Sequence, residues 1–240
     1  MPHFVKHSSC PKCYSRDNLG HYSDGSAWCF GCGYFKSPTL SPYVTEKQQE
    51  EEELSITLPS DVTQDYPPQA LEWAKLPITT LRRNNVYYSA YRNQLIFEFR
   101  DANNHTLAYQ ARNLSPVSKG KRYFTAGDVN SLLPIYASGL PERVLVLVED
   151  CLSAITISAL GHDAMPLLGS GISRQKLSRL RPFYDVLDVF LDPDMWHKSL
   201  NIVKQAQMLG FRTRPVQSDR DPKEHSYLEL KDLLQQSTIA

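Results

Sequence analysis

The C-terminal residues 139–240 alternate between short apolar stretches and longer amphipathic ones. The predicted strands cover 143–148, 164–168, 186–191 and 212–216, and the predicted helices cover 152–160, 173–180, 198–209 and 226–234. Such βα alternation predicts an open, mostly parallel sheet with helices on its faces. The first strand is a continuous run of β-branched residues and leucine, which is typical of a parallel strand buried on both sides. The fold class expected for this part is therefore α/β.

Acidic residues follow three of the four predicted strands. They are Glu149 and Asp150 after the first, Asp192 and Asp194 after the third, and Asp219, Asp221 and Glu224 after the fourth. Because the carboxyl ends of parallel strands meet at one edge, we expect these carboxylates to converge. A single strand-end acid usually caps a helix or faces solvent, but three sets at three strand ends favour a site for about two Mg²⁺ or Mn²⁺ ions.

Four of the five cysteines form two Cys-x2-Cys pairs, Cys10 with Cys13 and Cys29 with Cys32. Two such pairs separated by fifteen residues predict a tetrahedral zinc site that stabilises the fold and does no chemistry. A redox role is the alternative, and two pairs disfavour it. Cys151 stands alone and is expected to be a small buried side chain.

Basic and aromatic residues surround the cysteine pairs, among them Lys12, Arg16, His21 and Trp28. This combination suits single-stranded DNA, through contacts with phosphates and stacking on bases. For Trp28 the alternative is that the ring packs the small core of the module, and the sequence leaves both open.

Composition divides the chain into four predicted segments. They are a zinc-binding ribbon at 1–37, a flexible acidic linker at 38–58, a basic β-rich subdomain at 59–138 and the α/β subdomain at 139–240, so that the chain is α+β overall. The third segment contains predicted helices at 70–75 and 79–84 and a hairpin of strands at 93–100 and 106–112. Residues 70–125 carry nine basic and three acidic residues, although the whole chain has a net charge of zero. A basic region beside an acidic one is what a site that handles nucleic acid requires.

The order of the strand-end acids resembles the TOPRIM domain of DnaG-type and phage primases, topoisomerases and some nucleases. With the ribbon and the basic segment, nearly the whole chain resembles bacterial and short-tailed-phage primases. The resemblance implies that Glu149 activates the attacking 3′-hydroxyl, and that Asp192, Asp194 and Asp221 bind catalytic metal, with Asp219 a weaker candidate than Asp221. The chain departs from the family's Glu-Gly-x-x-Asp pattern, because Asp150 replaces the glycine and Ser153 replaces the second acid. Two expectations follow and stay open: either Asp150 supplies the missing charge, or metal affinity or catalysis differs from that of the family.

The same resemblance assigns roles to the basic segment. Arg112, Lys121 and Arg122 would contact the nucleotide triphosphate and the primer–template backbone, and Arg82 and Arg83 would contact template phosphates. An exposed basic face without a specific role is the alternative for each of them.

The function that the resemblance implies is synthesis of short RNA primers on single-stranded DNA by two-metal nucleotidyl transfer, which makes the chain a DNA-directed RNA polymerase of primase type. Its partners would be the template, ribonucleoside triphosphates and a replicative helicase. Since no G-x4-GK[ST] loop is present, the helicase would be a separate chain, or this sequence would be one half of a larger protein. A TOPRIM nuclease and a non-catalytic DNA-binding adaptor are the alternatives. No apolar run approaches the roughly 20 residues that cross a bilayer, so we expect no membrane association and a cytoplasmic location, in the host cytoplasm for a phage protein.

Overall fold

The computed structural model describes residues 3–36, 56–115, 122–140, 143–169 and 171–235. The chain divides into two compact units, Met1–Leu54 and Ser55–Ala240. Most of the predicted linker lies outside the described residues, as do Lys121 and Ser170. No helix in the described part is long and apolar enough to cross a membrane.

The first unit contains a four-stranded antiparallel sheet in the order β1-β2-β3-β4. Its strands are β1 (Phe4–Ser8), β2 (Leu19–Tyr22), β3 (Ala27–Cys29) and β4 (Phe35–Lys36). Its buried core consists of Cys10, Leu19, Ala27 and Cys29, with Tyr34 packed against them. So few apolar side chains cannot stabilise a fold of this size without a further bond, and a metal ion held by the cysteines would provide one.

The second unit begins with a five-stranded antiparallel sheet in the order β5-β6-β7-β8-β9. Its elements are β5 (Val62–Thr63), α1 (Pro68–Ala74), α2 (Ile78–Arg83), β6 (Val86–Ser89), β7 (Gln94–Arg100), β8 (Thr106–Asn113) and β9 (Tyr123–Gly127). The predicted hairpin is confirmed as β7 and β8, whose pairing runs from Gln94 opposite Asn113 to Arg100 opposite Thr106. Strands β5, β6 and β9 were not predicted from the sequence.

A parallel four-stranded sheet in the order β11-β10-β12-β13 follows. Its elements are β10 (Val144–Val148), α3 (Cys151–Ala159), β11 (Asp163–Pro166), α4 (Arg174–Leu180), β12 (Val186–Val189), α5 (Trp196–Gln207), β13 (Arg212–Pro215) and α6 (Tyr227–Gln235). Short 3-10 helices at Pro193–Met195 and Pro222–Glu224 follow β12 and β13. The four predicted strands and the four predicted helices of this part are confirmed. The Ser173 hydroxyl caps α4 by accepting a hydrogen bond from the amide of Lys176 at 3.1 Å. The mixed α/β fold class, with one parallel sheet, is confirmed.

The two sheets of the second unit share one apolar core. Leu95, Phe97 and Phe99 of β7 belong to the same buried cluster as Val148 of β10 and Ile155 of α3. Fully burying a side chain of this size contributes about 1.5–3 kcal/mol. This shared core fixes the antiparallel sheet against the parallel one, and therefore fixes the residues of β8 and β9 relative to the carboxyl ends of β10 and β12.

Candidate active site

The strand-end acids line the carboxyl edge of the parallel sheet. Glu149 directly follows β10, Asp192 precedes the 3-10 helix after β12, and Asp221 precedes the 3-10 helix after β13. Together with the adjacent Asp150 and Asp194, we call these five carboxylates the acidic rim. They act on one another electrostatically, which means that acids distant in sequence are neighbours in the fold.

Two carboxyl groups of the acidic rim have raised pKa values. Burial, followed by the negative charges of Asp221 and Glu149, raises the pKa of Asp192 to about 7. Burial also raises the pKa of Glu149; Lys198 opposes this, while Asp150, Asp194 and Asp221 add to it. These acids are therefore held in a partly desolvated, mutually repulsive arrangement, which a bound cation would relieve.

The atoms that would accept a cation are present on two of these acids. Within the described residues, Glu149 Oε2 and Asp192 Oδ1 are buried and have no hydrogen-bond partner. Buried acceptors are normally satisfied, so a pair of unsatisfied carboxylate oxygens fits a hard divalent ion such as Mg²⁺ or Mn²⁺. The rim is wider than one coordination sphere, because in the described part of the chain only the four cysteines bring three or more ligand atoms within 4.8 Å of one another.

The other side of the rim already holds a cation from the protein itself. Lys223 Nζ lies 2.7 Å from Asp150 Oδ2 and 2.8 Å from Asp221 Oδ2. Burial lowers the pKa of Lys223, but the two carboxylates outweigh it and raise the pKa above its usual value. Asp150 also caps α3, accepting from the Ser153 amide at 3.0 Å and from its hydroxyl at 3.1 Å. The sequence analysis named Asp150 as a metal ligand and did not single out Lys223.

Basic and aromatic side chains of the antiparallel sheet face the acids. Arg112 is the penultimate residue of β8, and its guanidinium carbon lies 5.1 Å from the ring centroid of Trp73 and 4.7 Å from that of Tyr123. Both distances are in the range of cation–π attraction. Arg112 Nε is buried and has no hydrogen-bond partner among the described residues. Burial raises the pKa of Tyr123 to about 12, so its hydroxyl stays protonated. Arg112 is thus oriented by two rings while part of its hydrogen-bonding capacity remains unused.

A cleft of about 910 Å³ joins the two sets of residues. Its lining includes Glu149, Asp150, Asp192, Asp221 and Lys223 from the parallel-sheet side, and Trp73, Lys75, Gln110, Arg112, Arg122 and Tyr123 from the other. An acidic edge opposite a basic wall suits a ligand that brings phosphates and a divalent cation together. Leu168 also lines the cleft, and its φ of 57° is a conformation that non-glycine residues seldom adopt.

Other residues named in the sequence analysis lie outside this lining. Asp194 is exposed and contributes to the rim through its charge on Glu149. Asp219 is exposed and pairs with Arg220 at 3.2 Å. Arg82 binds the carbonyl of Gln64 through Nε at 3.2 Å, which anchors the preceding segment, and Arg83 lines a second cleft of about 570 Å³.

The four cysteines of the first unit are brought together as the spacing predicts. The Sγ atoms of Cys10 and Cys32, and those of Cys13 and Cys29, are each 3.7 Å apart. Zn–S bonds of about 2.3 Å in a tetrahedron place sulfurs about 3.8 Å apart, so the cluster has the geometry of a structural zinc site. Of the residues proposed to bind DNA, Lys12, Arg16 and Trp28 are exposed, while His21 Nε2 is 2.7 Å from the Ser8 hydroxyl. Trp28 is 43% exposed, so part of its ring remains accessible for contact with a ligand.

No protein-family model matches the sequence, and no curated protein matches it. Solved structures do match. The primase fragment of the bacteriophage T7 primase-helicase protein is 14% identical with a TM-score of 0.55, and the match covers 98% of this chain and 100% of that one. The zinc-binding and RNA polymerase domains of the Aquifex aeolicus primase give 14% identity and a TM-score of 0.55 over 98% and 80% of the chains. A DnaG primase catalytic domain bound to single-stranded DNA gives 13% and 0.57 over 71% and 73%. The chain therefore has the fold of a DnaG-type primase.

Proposed function

We propose that this protein is a DNA primase that synthesises short RNA primers on single-stranded DNA. The observation that carries the proposal is the cleft in which the acidic rim faces Arg112 and Arg122. The likeness in fold to T7, Aquifex and DnaG primases supports the same reading. The first unit, with a zinc ion in its four-cysteine cluster, would contact the template through Lys12, Arg16 and the exposed face of Trp28.

In the proposed reaction the 3′-oxygen of the growing RNA attacks the α-phosphorus of a ribonucleoside triphosphate. A bond forms between them, the bond from the α-phosphorus to the bridging oxygen breaks, and pyrophosphate leaves. Glu149 would take the proton of the 3′-hydroxyl, since it lines the cleft beside the other acids of the rim. A divalent ion held by Glu149 and Asp192 would stabilise the charge that develops on the reacting oxygens, and Asp194 as a further ligand remains a prediction.

The basic wall would hold the triphosphate. The Arg112 guanidinium group lies close to the rings of Trp73 and Tyr123, which restrict its rotation, so it can present N–H groups to a phosphate at a smaller entropic cost. Arg122 directly precedes β9 and is exposed, and it would contact the phosphates or the nucleic-acid backbone. Lys121, which the sequence analysis groups with these residues, remains a prediction. Arg82 and Arg83 as template contacts also remain predictions.

The test supplies single-stranded DNA templates, labelled ribonucleoside triphosphates and Mg²⁺, and looks for short RNA on a denaturing gel. Wild type is expected to make oligoribonucleotides, and Asp192→Asn, which preserves shape and removes the charge, is expected to make none. Asp232→Asn on the exposed face of α6 is the matched control and should retain activity. Degradation of the template would favour a nuclease, and binding of DNA without either reaction would favour a non-catalytic adaptor.

A further inference from the structure

Lys223 divides the acidic rim into two unlike halves. In the Asp150–Asp221 half, one ammonium group contacts a carboxylate oxygen of each acid, at 2.7 and 2.8 Å. In the Glu149–Asp192 half, each acid has a buried oxygen without a hydrogen-bond partner among the described residues. The first half is therefore neutralised by a direct contact within the chain. In the second half Lys198 acts on Glu149 through its charge, but the buried oxygens of Glu149 and Asp192 remain without a hydrogen bond.

The ion pairs of Lys223 are largely buried, unlike a solvent-exposed salt bridge. The side chains of Lys223, Asp150 and Asp221 are 19%, 11% and 25% exposed, so water screens their attraction only weakly. Asp150 is held further by the amide and hydroxyl of Ser153 at the start of α3. Asp221 begins the 3-10 helix that carries Lys223, so the two residues cannot separate far.

A divalent ion and the Lys223 ammonium group compete for the same oxygens. Mg²⁺ binds carboxylate oxygens at about 2.0–2.1 Å, which would place it close to the present position of Nζ. Two cations cannot share this position, because both space and charge repulsion forbid it. Binding of an ion in this half would require Lys223 to leave two carboxylates in a partly buried site.

We propose that the acidic rim binds one divalent cation, in the Glu149–Asp192 half, and that the Lys223 ammonium group supplies the second positive charge in the Asp150–Asp221 half. The inference rests on the proposed function, and it replaces the expectation of about two ions with one ion and one lysine. Asp150 and Asp221 then act as positioning residues for Lys223, and Lys223 as a positioning residue for the rim.

The experiment counts ions directly. Mn²⁺ is titrated into the full chain with zinc kept in its cysteine cluster, and electron paramagnetic resonance measures the Mn²⁺ that stays free. Wild type is expected to bind one ion per chain and Lys223→Met two, since the substitution frees both carboxylates. Lys223→Arg, which keeps the charge, and Lys231→Met, which removes an exposed lysine from α6, should each bind one. Far-UV circular dichroism checks the fold of every variant.

Two ions bound by wild type would overturn the inference, whether or not Lys223→Met folds. One ion bound by a folded Lys223→Met would overturn it as well. The primer assay separates this inference from the proposed function: wild type that makes primers with two bound ions refutes only the role of Lys223. If wild type binds one ion and Lys223→Met binds two, but wild type makes no primers, the role of Lys223 is supported and the primase proposal is refuted. Absence of bound Mn²⁺ in both proteins overturns the inference and removes the metal site from the proposed function.

Discussion

Asp192→Asn should stabilise the protein when divalent cations are absent. Burial, together with the negative charges of Asp221 and Glu149, moves the pKa of Asp192 from 3.8 to about 7 in the folded protein. At about 1.4 kcal/mol for each pKa unit, the ionised carboxylate would cost the fold about 4 kcal/mol at most. Because Asp192 keeps some contact with water, which screens these charges, we expect about half of this, or ~2 kcal/mol.

The effect has a defined pH dependence. Below about pH 4 the side chain is protonated in the folded and unfolded states, so its titration costs nothing. As the pH rises from about 4 to about 7, the unfolded chain ionises freely while the folded one resists, and stability falls. Asparagine is neutral throughout. The stabilisation by Asp192→Asn should therefore be about 1–2 kcal/mol larger at pH 8 than at pH 5.

The measurement is urea unfolding followed by tryptophan fluorescence at pH 5 and pH 8, in buffer freed of Mg²⁺ but with zinc retained. Saturating Mg²⁺ should shrink or reverse the difference, because the ion stabilises only the protein that binds it. Asp232→Asn removes an exposed carboxylate and should change stability by less than about 0.5 kcal/mol at either pH. An equal effect of Asp192→Asn at both pH values, or destabilisation at pH 8, would refute the electrostatic reasoning.

Three further predictions concern other parts of the molecule. Chelation of zinc should unfold the first unit and leave the second folded, because the small core around Leu19 depends on the cysteines. Amide hydrogen exchange, measured by NMR or mass spectrometry, reports on both units. Loss of exchange protection in both units together would contradict their independent folding. Arg112→Lys should raise the KM for ribonucleoside triphosphates about tenfold or more with little change in Tm, because an ammonium group lacks the planar face that a guanidinium group presents to Trp73 and Tyr123. An unchanged KM would exclude a role for Arg112 in binding the triphosphate. Glu98→Gln should lower the free energy of unfolding in urea by about 2 kcal/mol, because Glu98 is 5% exposed and pairs with Arg100 at 2.7 Å. Asp65→Asn, at the exposed pair with Arg82, should cost less than about 0.5 kcal/mol. Similar values for the two substitutions would contradict the argument from burial.

The parallel sheet could be predicted from the sequence because each of its strands carries its own signal. Val144–Val148 is uniformly apolar, and Ser173 and Gly210 mark helix ends by their chemistry. The antiparallel sheet was harder. Val86–Ser89 and Tyr123–Gly127 do not alternate clearly, and they become strands because β7 and β8 provide partners for their backbone groups.

The burial of β7 depends on a segment outside the strand. Leu95, Phe97 and Phe99 belong to one apolar cluster and Ile96 to another, as the alternation of side chains along a strand requires. The second face is nevertheless buried as well. Ile56 and Leu58, which precede the sheet in sequence, pack against the cluster that contains Ile96. No local pattern could indicate that cover, because it depends on where a distant segment crosses the sheet.

Lys223 escaped sequence reasoning for the same physical reason. It stands in an Asp-Pro-Lys-Glu run whose acids drew attention, and its partner Asp150 lies 73 positions earlier. Trp73 was placed on a short helix without a role, and only the folded chain brings its ring beside Arg112. Strand-end acids can be located from topology alone, whereas the cations and rings that tune them are set by tertiary packing.

The acidic rim and the apolar core are linked energetically. Repulsion among Glu149, Asp192 and Asp221 disfavours the fold, and it is sustained because the elements carrying these acids belong to a sheet buried on both faces. Lys223 contacts Asp150 and Asp221 directly and acts on Asp192 only through its charge, so Glu149 and Asp192 keep unsatisfied oxygens for an external cation. A chain that neutralised every acid internally would be more stable but would have no affinity left for a metal ion. The uneven distribution of charge along the rim is therefore the property on which the proposed chemistry depends.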